Sequence, residues 1–171
     1  MANEQLSTTL PLEASNRNTP PGWRPGDQRY PLRRYFQLLR LWWHMTDIPE
    51  TAAGPAMASR LRGSAFQLAL RLQTQRQTLD PNTGGLVTTP LVGAEALALE
   101  RLPEFTVPMT GQVIPAQQAG ATMLMHTLTA KYMPHQQNIV MSALDQWDFV
   151  YPYRHEQIGL LVVVSHVSRR S

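Results

Sequence analysis

"RRYFQLLRLWWHM", residues 33–45, puts two adjacent tryptophans in a stretch that also carries three arginines. Such a segment could grip nucleic acid, lie on a membrane surface, or form the buried spine of a helical domain. The spacing separates these options. Tyr35, Leu38, Leu39, Trp42 and Met45 recur at intervals of three and four, and Phe36 and Trp43 widen the stripe. Arg33, Gln37, Arg40 and His44 fall on the opposite side. A contiguous aromatic stripe at helical period belongs to a core, with arginine stems covering its edge. A membrane-surface helix would need a wholly lipid-facing apolar side flanked by cations. Core packing is therefore the expectation, with Arg33, Arg34 and Arg40 left as candidate phosphate contacts. Proline 31 suits the first helical position, where a missing N–H costs nothing.

Upstream, residues 1–29 include "NRNTPPGWRPGDQR", too polar and too rich in proline and glycine to bury a core alone, and they are expected to be a disordered leader. Downstream, Asp47 is the expected N-cap of a helix through "ETAAGPAMASRLR", weakened at Gly54-Pro55. Ser64 should cap the next, "AFQLALRLQTQRQ", with Phe66, Ala69, Leu70 and Gln73 sharing a face. "LDPNTGG" is turn chemistry. The spacing then predicts a helix over Thr89–Leu102, a proline-rich loop over 103–115, and helices in "AQQAGATMLMHTLTAKYM" and "HQQNIVMSALDQWDFV". The last segment, "HEQIGLLVVVSHVSRR", fits a strand by its β-branched run and a buried helix by its spacing. The expected fold is all-α: one irregular bundle of about five to seven helices over 30–171, with core positions Tyr35, Leu38, Leu39, Trp42, Phe66 and Leu70.

A chain of 171 residues supports one core. Its charge is uneven: residues 1–76 hold ten Arg/Lys against five Asp/Glu, and the remainder five against seven. A basic front half favours a polyanion weakly, and usually marks a solvated face. With no cysteine, disulfides and cysteine-based zinc sites are excluded. The longest late apolar run, Ile158–Val164, is far short of the roughly 20 residues that span a bilayer. A cytoplasmic protein without a membrane partner is expected.

Chemical motifs fail on inspection. "HEQIG" at 155–159 begins like a zinc helix, but Gly159 stands where the second histidine must be. His44, His126, His135 and His166 lack ligand spacing. Asp145 and Asp148 could share a helical face, yet acid–base work also needs a pocket and perturbed pKa values. "DPNTGG" places Asn82 where an aspartic protease needs its acid. No nucleophile elbow, P-loop or dinucleotide fingerprint occurs. No catalytic residue, metal or cofactor is expected, and no small-molecule substrate is evident.

A resemblance rests on Gly22-Trp23-Arg24-Pro25, Tyr30-Pro31, Trp42-Trp43, Asp47, and Leu61-Arg62-Gly63-Ser64-Ala65. In this order they resemble the Gag-like region of copia-type retrotransposon polyproteins, over roughly residues 20–102. Beyond these, Glu156-Gln157-Ile158 and Arg169-Arg170 are similar to a degraded form of the family's later helix. The resemblance implies a non-enzymatic, capsid-like structural protein that self-associates and has weak, non-specific RNA affinity. It also implies a polyprotein fragment that ends inside its domain. The alternative is a helical interaction module that binds nucleic acid through residues 31–45.

Overall fold

The structure, a computed structural model, describes residues 10–134. Among them are five helices: α1 (Leu32–Met45), α2 (Glu50–Ser59), α3 (Ser64–Leu70), α4 (Ala94–Leu97) and α5 (Gly120–Tyr132). Two antiparallel hairpins interrupt the series: β1 (Gln73–Leu79) with β2 (Leu86–Val92), and β3 (Phe105–Thr106) with β4 (Val113–Ile114). The fold is thus mixed α and β, which corrects the all-α expectation.

The difference arises at "LQTQRQT". Propensity allows a helix there, but Gln73, Gln75 and Gln77 supply no apolar stripe to bury. Helix α3 closes early instead, with Arg71 and Leu72 amides bonding back to Leu68 and Ala69 carbonyls. The released strand pairs with "LVTTPLV", whose Val87, Thr88, Thr89 and Val92 favour extended backbone. The expected helix over Thr89–Leu102 shrinks accordingly to α4. The turn chemistry is as the sequence suggests: Asp80 accepts from the Asn82 amide and the Thr83 hydroxyl, and Gly84 takes a positive φ. Those bonds hold the Asp80 carboxyl below its ordinary pKa, the Asn82 amide contributing most.

The leader also departs from expectation. Residues 10–29 are not disordered but fold over α1. Trp23 is buried, stacks on Tyr35 at 6.2 Å, and donates its indole N–H to the Tyr30 carbonyl. The Trp42 indole donates to the Asn16 carbonyl, and the Thr46 hydroxyl to that of Arg17. Arg60 is the anchor. Its guanidinium donates to the carbonyls of Leu10, Pro11, Ala14 and Pro20, tying the leader to the end of α2. The leader has no core of its own; it completes the core of the helices.

Helix α5 is the central element, packed against α2, α3 and α4. Ala121, Leu124, Met125 and Leu128 bury along its length. Gly54 of α2 and Gly120 of α5 both close on the Leu97 carbonyl, where a Cβ on either would overlap the oxygen. Asp47 does not cap α2, whose N-cap is Pro49 without a side-chain bond; it pairs with Arg17 at 2.7 Å. Nor does Ser64 cap α3: Gly63, with φ of +62°, precedes the helix, and the Ser64 hydroxyl meets that of Tyr132. No described helix is long and apolar enough to cross a membrane. The expected helix at 135–150, Asp145, Asp148, the "HEQIG" motif, and the ambiguous segment after it lie outside the described residues.

Candidate functional site

On α1, Leu32, Tyr35, Leu39, Trp42 and Trp43 turn inward. Leu38 is half-buried against the same cluster. Phe66 is half-buried too, but Leu70 leaves the core, 45% exposed. The inner positions of the short α3 are Ala65 and Ala69, and Leu70 lies about 100° around the helix from Ala69. Only a longer helix with a broader buried face would have covered it.

Arg33, Arg34 and Arg40 are all exposed. Arg34 faces Glu13 of the leader at 3.5 Å, a solvent-screened pair of little energetic weight. Arg40 lies beside Leu41 and His44, also exposed. The three cations therefore share the outer side of α1, while both of its tryptophans are enclosed. This surface can contact phosphates, but it offers no tryptophan on which a base could stack. A shallow groove of about 540 Å³ near the start of α1 is lined by Trp23, Asp27, Arg33 and Tyr132, among others. No group of three metal-ligating side chains occurs among the described residues.

The short motifs behind the family resemblance converge in space. Trp23 pairs with Leu61 in a parallel bridge: its amide donates to the Arg60 carbonyl, and its carbonyl accepts from the Arg62 amide. Tyr30 and Tyr35 meet edge to face at 6.4 Å, and Trp42 and Trp43 sit 6.1 Å apart. Glycine 22 is required there because a Cβ would run into the Arg60 carbonyl. The Gly-Trp-Arg-Pro segment, the aromatic helix and the Leu-Arg-Gly step are thus three parts of one packing knot. Their chemistry is burial. Burial pushes the Tyr30 and Tyr35 hydroxyls well above the ordinary tyrosine pKa, and it draws the Arg60 guanidinium below the ordinary arginine value.

The hairpins carry what sequence reasoning missed. Seven of the ten exposed large hydrophobic side chains among the described residues fall between 86 and 113: Leu86, Val87, Val92, Leu102, Phe105, Met109 and Val113. Met109, at the β3–β4 turn, is 95% exposed. Between the hairpins runs a groove of about 680 Å³, with β1 along one side and Leu102, Phe105 and Ile114 along the other. The β-branched run at 86–92 was the available signal, masked by the helical spacing that follows it. Comparison with family models, curated proteins and solved structures finds no match to this chain.

Proposed function

We propose that the protein is a non-enzymatic assembly protein, similar to the Gag capsid region of copia-type retrotransposons, that works by self-association. The observation that carries this is the concentration of exposed apolar side chains on the two hairpins. None of these side chains belongs to the buried core cluster, so the surface they form is what another molecule can cover. The packing knot built from the motif residues supports the resemblance, because it gives each short motif a structural task in one place. RNA affinity in this proposal is secondary. It comes from Arg33, Arg34 and Arg40 acting on phosphates, without base reading.

Light scattering across a concentration series, without nucleic acid, tests the main claim: average mass should rise with concentration. A constant monomer mass would sink it. The secondary claim has its own test in RNA titration. Replacing Arg33, Arg34 and Arg40 together by Gln should weaken binding to all sequences alike and flatten the salt slope. Loss for one sequence only would instead favour a nucleic-acid-reading module at 31–45.

A further inference from the structure

The β1–β2 hairpin is a two-stranded sheet, and such a sheet is marginal until further strands or a helix complete it. Its two edges are unlike. The Gly93 amide bonds to the Leu72 carbonyl, and the Asp80 amide to that of Gly85. Those positions continue the strand register at both ends, so even-numbered β1 residues exchange bonds with β2. The odd-numbered β1 residues and the β2 residues opposite them then direct their main-chain groups outward. On β2 these are Leu86, Thr88, Pro90 and Val92, and Pro90, which has no N–H, interrupts the row. On β1 they are Gln73, Gln75, Gln77 and Leu79, an unbroken row. None of these four amides bonds to another described element. The groove between the hairpins is lined by β1 residues of both parities and by none from β2, so this row opens onto it.

We propose that the outer edge of β1 pairs antiparallel with β1 of a second copy, making a four-stranded sheet, β2–β1–β1–β2, across a two-fold axis. Antiparallel pairing of one strand with its own copy is an isologous contact, in which one patch meets itself across the axis. Charge chooses the register. An axis at Arg76 would set two guanidiniums directly opposite each other, which is unfavourable. An axis at Gln77 sets Gln77 against Gln77, Gln75 against Leu79, and Arg76 against Thr78, which moves the two guanidiniums from directly opposite to one diagonal and puts Asp80 of the other copy on the other diagonal. A long arginine side chain reaches that distance. Arg76 is exposed and makes no ion pair among the described residues, so it is available. About six main-chain bonds would join the copies. Because Pro90 interrupts the other edge, growth stops at two copies by this route, where an edge open on both sides would build a fibre.

This deepens the self-association proposed above, and one experiment separates the two. Light scattering is run on the full chain, with amide hydrogen exchange followed at several concentrations. The expected result is a dimer whose Gln75, Gln77 and Leu79 amides gain protection as concentration rises. Gln77→Pro removes an outward N–H and leaves the β1–β2 bonds in place, and it should abolish this dimer. Pro90→Thr restores an outward N–H on β2 and should yield species larger than the wild type. If wild type associates while those three amides stay unprotected, or Gln77→Pro dimerises as before, the edge pairing is wrong and self-association stands. If wild type stays monomeric throughout, both fall. The exchange measurement decides even if Gln77→Pro fails to fold.

Discussion

Trp42 shows how one side chain joins two regions of the chain: its ring is buried with Trp43 and Leu39, while its indole N–H reaches the leader at Asn16. Trp42→Ala removes both the packing and the bond. A cost of about 3–5 kcal/mol is expected, enough to unfold a domain of ordinary stability, and thermal melts would read it directly. Tyr30 and Tyr35 supply a pH dependence. Their folded pKa values lie above the unfolded value of about 10, mainly through burial. The folded state therefore holds its protons more tightly than the unfolded one. Their contribution is fully present below about pH 10 and lost as pH rises above it. Melting temperature should be flat through neutral pH and fall in strong alkali. Tyr35→Phe should lessen that fall, and an unchanged alkaline profile would contradict the assignment.

At the scale of elements, the junction of α2, α4 and α5 is the tightest place described. Gly54→Ala would ordinarily help a helix by roughly 1 kcal/mol. Here the new methyl would overlap the Leu97 carbonyl, a backbone atom that cannot swing aside. Overpacking of this kind costs about 1–3 kcal/mol, so the net effect should be destabilising. A denaturant melt with a higher midpoint for Gly54→Ala would reverse that order. Helix α1 is the converse case. Its buried stripe could be read from spacing as far as Trp42, Met45 at its end being exposed instead, and its arginines fall on the outer side for the same reason. The β1 edge could not be read so, because "QTQRQTL" has no apolar alternation and becomes a strand only through its partner at 86–92.

At the scale of the whole molecule, the leader and the helices depend on one another through Arg60. Its four carbonyl partners span residues 10–20, and the chain continues from there to the Trp23 bridge. Arg60→Met keeps much of the side-chain volume but removes the donor from the Leu10, Ala14 and Pro20 carbonyls, that of Pro11 keeping the Ala14 amide. A loss of about 2–3 kcal/mol is expected, as for buried acceptors deprived of a charged donor. Limited proteolysis should then cut within residues 10–22 before any helix, with a change in tryptophan emission as Trp23 is exposed. Cleavage at wild-type rate would mean that the leader is held by Trp23 and its neighbours alone.

What the sequence determined by itself is local. The aromatic face of α1, the body of α5, the turn at 80–85 and the absence of any disulfide all follow from spacing or composition over a few residues. The tertiary structure decided what depends on distant partners. "LQTQRQT" has comparable local access to helix and strand, and only "LVTTPLV" across the turn makes the strand the better state. The leader looked disordered because it cannot bury itself, yet Arg60 and the face of Tyr35, far along the chain, give it something to cover. Leu70 carried an apolar residue's promise of burial and lost it when the helix ended beneath it. For the strand and the leader the deciding term is a contact with a partner outside the segment itself, and for Leu70 it is the point where that strand takes over from the helix, neither of which a window of local periodicity contains.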